Sequence, residues 1–158
     1  MTQIIYIAHP DVVKDPRVPV PRWPLSARGR ARMAQMLSRP WVRAVGAVFC
    51  SDEQKALDGA AILANFLGIE YTIVPELGEV DRSSTGWLPE DEHAEAARRL
   101  FERPDEPVRG WETARQAQDR IVRAVDRVIA LHDGRGDIAI MAHGAVGTFL
   151  LCHLKGVP

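Results

Sequence analysis

The chain has 158 residues, of which 46% are apolar and 26% are charged. These values indicate one domain with a single hydrophobic core, and they argue against two domains or a disordered chain. The 20 basic and 21 acidic residues give a formal net charge of −1, so the chain offers no strong field to attract nucleic acid or an anionic membrane.

Short apolar runs alternate with longer helical patterns. In chain order, the sequence predicts a strand over 3–8, a helix over 26–37, a strand over 44–50, a helix over 51–67, a strand over 71–74, a helix from 89, a helix over 112–131, a strand over 137–142 and a helix after 144. Strands that alternate with helices form a mostly parallel sheet covered on both faces. The sequence therefore predicts a single α/β domain over 1–158, a three-layer α/β/α sandwich whose strands end at one edge.

Two segments that follow predicted strands have distinctive sequences. Residues 10–24 contain five prolines and predict a stiff loop, longer than most connections of this kind and typical of a functional lid. The helix after the second strand begins with Ser51-Asp52-Glu53-Gln54, which fits a capping box. The first strand, over 3–8, is apolar enough to be buried on both faces.

The two cysteines, Cys50 and Cys152, lie in apolar stretches and lack metal-ligand spacing. They are interpreted as small buried hydrophobic residues in a reducing compartment. No signal peptide is visible, and no apolar run approaches the roughly 20 residues of a membrane span. The sequence therefore predicts a cytoplasmic protein.

Polar residues follow three of the predicted strands. His9, Ser51 and His143 each come directly after an apolar run, and a further loop follows Val74. Ligands of open α/β sheets bind at the carboxyl ends of the strands. A lone histidine there is usually structural, whereas two histidines that converge on one edge fit a functional site and a structural role about equally.

Gly144 and Lys55 are consistent with an anion at this edge. Gly144 begins the last helix, where backbone N–H groups can approach an anion. Lys55 lies in the first turn of its helix, where its charge opposes the helix dipole. Either a bound anion offsets this cost, or Lys55 is a surface residue that pairs with Asp52.

Several short motifs occur in an order that is known from one family. They are His9 at the end of the first strand, Pro24-Leu25-Ser26-x-x-Gly29, Ser51-x-x-x-Lys55-Ala56, Leu77-Gly78-Glu79, Gly110-Trp111-Glu112 and Ala142-His143-Gly144. Through them, almost the whole chain resembles the phosphoglycerate mutase-like histidine phosphatases. Each motif is weak alone, whereas their shared order makes the resemblance specific.

The resemblance implies a phosphoglycerate mutase-like fold and a metal-independent phosphatase that hydrolyses a phosphomonoester or a phosphohistidine. His9 matches the nucleophile, which takes the phosphoryl group and becomes phosphohistidine. Glu79 matches the acid that protonates the leaving oxygen, with Glu76 and Asp81 as carboxylates nearby that could be confused with it. His143 matches the histidine that stabilises charge on the transferring oxygens.

The resemblance also implies the remaining parts of the site. The candidate phosphate-binding positions are Ser51 and Lys55 of the Ser51-x-x-x-Lys55-Ala56 motif, Gly144 at the start of the last helix and Arg82 just after Glu79. No metal or cofactor is implied, because cationic side chains replace it. The implied partner is a phosphorylated small molecule or a phosphoprotein, and the sequence leaves its identity and the oligomeric state open.

The chain departs from the family motif around the nucleophile. The family has Arg-His-Gly where this chain has Ala8-His9-Pro10. Alanine cannot grip a phosphoryl group as the planar arginine fork does, and Lys55 replaces a second arginine by a point charge. Arg17 or Arg22 of the proline-rich loop, or Arg82 just after Glu79, could supply the lost charge, although a solvated surface arginine is the favoured interpretation for each.

These departures leave two alternatives to an enzyme. The first is a pseudo-phosphatase that binds phosphorylated ligands or a protein partner without turnover, which Ala8 favours. The second alternative is a metal site built from His9-x-Asp11 and His143. It is the weaker of the two, because Pro10 restrains that short motif.

The resemblance also concerns the end of the chain. Family members usually continue past the last helix into another strand, whereas this chain ends at Gly156-Val157-Pro158. The domain is therefore expected to lack the family's last strand, which would leave one sheet edge less complete.

Overall fold

Four short strands form one sheet in the computed structural model, which describes residues 1–157. They are β1 (Ile4–Ala8), β2 (Val45–Cys50), β3 (Tyr71–Ile73) and β4 (Asp137–Ala142), and their order in the sheet is β1-β4-β2-β3. All three neighbouring pairs are parallel. The predicted α/β class is confirmed, and each predicted strand agrees with the structure to within one residue at either end.

Helices pack on both faces of this sheet. Within residues 1–157 the α-helices are α1 (Ala27–Met36), α2 (Gln54–Leu67), α3 (Glu90–Glu102), α4 (Ala114–Leu131) and α5 (Gly144–Lys155). Side chains of β4 alternate between two apolar clusters, one shared with α1 and α2 and the other with α3, α4 and α5. The predicted three-layer arrangement follows, with β4 buried between the two helical layers.

The start of α2 differs from its prediction. The helix begins at Gln54, and the N-cap residue is Glu53, whose side chain makes no capping hydrogen bond. The predicted capping box at residues 51–54 is therefore wrong. The Glu53 carboxylate instead pairs with Lys55 in the first turn of the helix, and an ion pair to a buried ammonium competes with capping for the same oxygens.

The position of β1 in the sheet also differs from the expectation. Only β4 pairs with β1, so β1 is an edge strand. Its two ends, Ile4 and Ala8, are exposed and the residues between them are half-buried. The prediction of a strand buried on both faces is wrong, because an apolar run does not distinguish a central strand from an edge strand.

The proline-rich loop between β1 and α1 is tied down by its own contacts. The indole N–H of Trp23 donates to the carbonyls of Asp15 and Val18, each at 3.0 Å. Val12 and Leu25 form an antiparallel bridge at the base of the loop. A short 3₁₀ turn, Val20–Arg22, lies in the second half of the loop and contacts α2. The loop is thus an ordered segment beside the carboxyl ends of the strands.

The cysteines are only partly as predicted. Cys50 is fully buried, and burial raises the pKa of its thiol to about 12. Cys152 is half-buried rather than buried, because it lies on α5 near the surface. In the part of the chain that the structure describes, no helix has both the length and the apolar character needed to cross a bilayer.

Candidate active site

Two histidines meet at the carboxyl edge of the sheet. His9 follows β1 and His143 follows β4, and these strands are parallel neighbours with Ala8 opposite Ala142. The centroids of the two imidazole rings are 5.2 Å apart, with the ring planes at 69°. One phosphoryl group can lie within reach of both rings at this separation, as the sequence pattern predicts.

The His9 ring is held in one tautomer. Its Nδ1 lies 2.8 Å from the carbonyl oxygen of Pro10, which can only accept a hydrogen bond, so Nδ1 carries the proton. Burial lowers the pKa of His9, an effect that Lys55 reinforces. The ring is therefore neutral at physiological pH and its Nε2 carries a lone pair, which is the state that a nitrogen nucleophile needs.

His143 is fully buried and also neutral. Burial lowers its pKa to about 3. Its Nε2 lies 2.7 Å from the Ser51 hydroxyl, which accepts a hydrogen bond from the Glu53 amide at 3.3 Å. Ser51 has no other acceptor for its proton among residues 1–157, so it donates to Nε2 and places the histidine proton on Nδ1. That Nδ1 is buried and has no partner among the described residues.

Tyr6 fixes the backbone on which His143 sits. Its hydroxyl donates to the His143 carbonyl at 2.8 Å and accepts from the His143 amide at 3.3 Å. The Tyr6 ring packs against Gly147 in α5, where an added Cβ would lie 2.5 Å from a ring carbon. Glycine is required at 147 because any side chain would displace the tyrosine.

Glu79 occupies the amino terminus of α5. Its carboxylate accepts hydrogen bonds from the amides of Ala145 at 3.1 Å and Val146 at 3.2 Å. These are the N–H groups that the sequence assigned to a bound anion near Gly144, so that expectation needs correction: the chain's own carboxylate takes this place. Glu79 lines the same cavity as His9, so it can contact a group bound there.

Arg120 of α4 holds the loop that carries Glu79. Its guanidinium donates to the carbonyls of Gly78 at 2.8 Å and Glu79 at 3.1 Å, and it pairs with Glu112 at 2.7 Å. The Arg120 side chain thereby provides hydrogen-bond donors for the backbone carbonyls of the loop and connects the loop to the start of α4.

Lys55 is not the surface residue that one interpretation expected. Its side chain is only 4% exposed, and its Nζ contacts the Glu53 carboxylate at 2.6 Å and the Val20 carbonyl at 2.8 Å. The pairing with Asp52 is therefore wrong. Lys55 lines the cavity next to His9, but its charge is balanced by Glu53, which weakens the predicted role of Lys55 as a free phosphate clamp.

Glu53 connects several site residues. Besides Lys55, its carboxylate accepts from the Glu79 amide at 2.9 Å and lies 3.6 Å from His143 Nε2. Burial raises the pKa of Glu53, but the charge and hydrogen bond of the Lys55 ammonium and the hydrogen bond from the Glu79 amide lower it, and the pKa is lowered overall. The residue is thus an ionised carboxylate at the centre of the site.

Of the remaining predicted cations, Arg17 and Arg82 line two adjoining cavities of about 320 and 1280 Å³, whereas Arg22 is exposed and lines neither of them. Arg82 borders both, and the smaller cavity also contains His9 and Glu79. Arg17 pairs with Asp15 and its side chain is 88% exposed, so it does not replace the arginine missing at position 8.

Asp11, the carboxylate of the alternative metal site, is engaged by arginines of α1. Asp11 accepts a hydrogen bond from Arg32 at 3.0 Å and lies 3.9 Å from Arg28. The side-chain hydrogen bond from Arg32 lowers the pKa of Asp11. Asp11 therefore belongs to an ion-pair cluster with α1 and not to a site with His9.

Sequence reasoning missed three residues that organise the site. Glu53 follows a strand end beside Ser51, and this position was a usable signal that the capping-box interpretation obscured. Tyr6 and Arg120 act across 137 and about 40 positions of sequence, and no local pattern points to either contact.

The fold and the site define an α/β domain with a histidine pair at the carboxyl edge of a parallel sheet. The model of the histidine phosphatase superfamily (branch 1) matches residues 20–158. This match covers most of the chain, and the chain therefore belongs to that superfamily. The match begins after His9, so the assignment of His9 rests on the geometry of the site. A search of curated proteins finds no significant match.

Solved structures share the whole fold. A mycobacterial glucosyl-3-phosphoglycerate phosphatase in complex with inorganic phosphate has a TM-score of 0.81 and 20% identity, over 100% of this chain and 81% of that chain. The protein YhfR of Bacillus stearothermophilus has a TM-score of 0.78 and 22% identity, over 100% of this chain and 82% of that chain. These similarities confirm the predicted phosphoglycerate mutase-like architecture.

The buried neutral histidine makes stability depend on pH. The pKa of His143 is about 3 in the folded protein and about 6.5 when unfolded, so the unfolded chain binds one more proton between these values. We expect the free energy of unfolding to fall by about 1.4 kcal/mol per pH unit below pH ~6.5 from this residue alone.

Urea unfolding followed at several pH values measures this slope. His143→Gln lacks the titrating group. The free energy of unfolding of this variant should therefore change less steeply with pH than that of the wild type, by about the 1.4 kcal/mol per pH unit that one proton contributes. Equal slopes for the two proteins would contradict the assignment of the buried neutral state.

Proposed function

We propose that the protein is a metal-independent phosphatase that hydrolyses a phosphomonoester or a phosphohistidine through a phosphohistidine intermediate on His9. The observation that carries this proposal is the pair of neutral imidazoles with centroids 5.2 Å apart. The carbonyl of Pro10 leaves His9 Nε2 free to attack, and Ser51 leaves His143 Nδ1 protonated and without a partner in the described part of the chain.

The two steps of the reaction use these groups in turn. His9 Nε2 attacks phosphorus, the P–O bond to the leaving group breaks, and protonated Glu79 gives its proton to the leaving oxygen. Water then attacks the phosphohistidine, Glu79 takes a proton from that water, and the N–P bond breaks to release inorganic phosphate and neutral His9.

His143 acts on the phosphoryl oxygens in both steps. Its Nδ1–H is a buried donor that has no acceptor in residues 1–157, and buried donors of this kind are rare unless a ligand completes them. A phosphoryl oxygen supplies that acceptor. Ser51 serves as a positioning residue, because its hydroxyl selects the tautomer in which Nδ1 donates.

Family membership and one structural relative support the reaction class. The glucosyl-3-phosphoglycerate phosphatase with the same fold binds inorganic phosphate. The substrate of the present protein is proposed only as a phosphorylated small molecule or a phosphoprotein.

A second candidate function is a module that binds phosphorylated ligands without turnover. Two observations favour it: Ala8 stands where the family has arginine, and the charge of Lys55 is balanced by Glu53. Both reduce the positive charge available to a transferring phosphoryl group.

Trapping the covalent intermediate tests the proposal. The wild type is mixed with an aryl phosphate, quenched at alkaline pH, digested and analysed by mass spectrometry. We expect one phosphoryl group on the peptide that contains His9 and none on the peptide that contains His153, an exposed histidine of α5. Steady turnover without a phosphoryl group on His9 would exclude this mechanism. Absence of turnover together with phosphate binding would favour the binding module.

A further inference from the structure

Arg82 is a cation in the cavity that the proposed chemistry does not use. It is half-buried, and its guanidinium carbon lies 5.7 Å from the centre of the Trp111 ring. Its polar contact is with Nε2 of His93. No carboxylate of residues 1–157 forms an ion pair with it, whereas Arg109 and Arg120 nearby pair with Glu92 and Glu112.

The surrounding turn holds Arg82 in place. The Arg82 carbonyl accepts hydrogen bonds from the amides of Thr85 at 3.1 Å and Gly86 at 2.9 Å. The Thr85 hydroxyl accepts from the indole N–H of Trp111 at 2.9 Å. The backbone and the stacked ring are thereby joined, so the guanidinium is positioned before any ligand arrives.

His93 orients the guanidinium. An arginine N–H can only donate, so Nε2 of His93 accepts and the ring is neutral with its proton on Nδ1. Burial lowers the pKa of His93, and the charges of Arg82 and Lys14 lower it further. The remaining guanidinium N–H groups have no carboxylate partner among residues 1–157 and are available to an anion.

Arg82 shares a cavity with His9 but forms no hydrogen bond with it. Lys14, Arg82 and His93 line the same cavity of about 320 Å³ as His9. The acids on this wall are Glu79, which binds the amides of α5, and Glu90, which begins α3. Lys14 is exposed and forms no ion pair within residues 1–157.

We propose that Arg82, assisted by Lys14 and oriented by His93, binds a second anionic group of the substrate. Preferred substrates are then phosphomonoesters whose organic part carries a carboxylate or a further phosphate. The inference rests on the proposed phosphatase function, and it assigns Arg82 to the organic part of the substrate instead of the transferred phosphoryl group. None of the contacts of Arg82 involves His9, Ser51 or His143, which agrees with that assignment.

A matched set of substrates tests the inference. Phenyl phosphate lacks a second anion, 4-carboxyphenyl phosphate carries a carboxylate, and 1,4-phenylene bisphosphate carries a phosphate. We expect the wild-type kcat/KM for at least one of the two substrates with a second anion to exceed that for phenyl phosphate by about tenfold, because a charge-assisted hydrogen bond contributes that much. The carboxylate and phosphate arms show which anion fits better.

Variants connect this preference to the proposed residues. Arg82→Gln should reduce the ratio of the two kcat/KM values towards one, mainly through KM, and the exposed Lys14→Gln should reduce it by about threefold. Arg82→Lys keeps the charge and should retain part of the preference. The control Arg135→Gln removes an exposed arginine beyond the opposite end of the sheet and should leave the ratio unchanged.

Two results would overturn the inference. One is a wild-type ratio near one, and the other is a uniform loss in Arg82→Gln with the ratio retained. If the wild type hydrolyses none of these esters, the phosphatase proposal fails first, and calorimetric binding of phenylphosphonate and 4-carboxyphenylphosphonate then decides. A tenfold preference for the carboxylated phosphonate that disappears in Arg82→Gln supports the anion subsite, and equal affinities refute it.

Discussion

Replacing His9 with alanine should lower kcat for an aryl phosphate by roughly 10³-fold or more, because the variant lacks the nitrogen that forms the covalent intermediate. The expected loss is in kcat, since binding of the phosphoryl group also uses His143. Initial rates measured with purified wild type and variant give the ratio directly.

His153→Ala is the matched control for this change. It removes an exposed imidazole at the end of α5, and its kcat should lie within about threefold of the wild type because surface substitutions away from the site have small effects. If the wild type turns over no faster than His9→Ala, the phosphatase proposal is wrong and the binding module is favoured. Partial rescue of His9→Ala by added imidazole would strengthen the assignment of the nucleophile.

The sequence predicts the α/β fold and the convergence of His9, Ser51 and His143 at one edge of the sheet. Strands β2 and β4 are short apolar runs between helical patterns, and local periodicity identifies such elements well. The rule that parallel strands end at one edge then placed His9, Ser51 and His143 together. The exposure of β1 could not be predicted, because strand order depends on which strands pair and not on the composition of each strand.

The charge balance of the site could not be predicted from the sequence. Whether Lys55 meets a ligand or a carboxylate depends on the rotation of the first turn of α2 and on the position of Val20, which lies 35 residues away. The role of Glu79 at α5 likewise depends on packing between distant segments. These contacts are tertiary, and local motifs only limit the possibilities.

The contacts of Glu53 lead to the second large effect. Glu53→Gln leaves the ammonium of Lys55 buried without a compensating charge, since both side chains are nearly inaccessible. Breaking a buried ion pair from one side costs about 3–5 kcal/mol. For a domain of this size, such a loss lowers Tm by about 10 °C, which differential scanning calorimetry measures.

The same variant should gain a stronger response to anions. With its carboxylate partner removed, Lys55 is free to pair with a phosphate or sulfate ion in the cavity beside His9, so these ions should raise the Tm of Glu53→Gln by more than that of the wild type.

Glu76→Gln is the control, because it breaks an exposed pair with Arg127 and should cost less than about 1 kcal/mol. If phosphate stabilises all three proteins equally, Lys55 does not face the anion, and the positive charge for the phosphoryl group must come from elsewhere in the cavity. A larger response confined to Glu53→Gln would mean that Glu53 keeps the Lys55 ammonium from an anion in the cavity beside His9, which is the physical reason to expect slow turnover in the wild type.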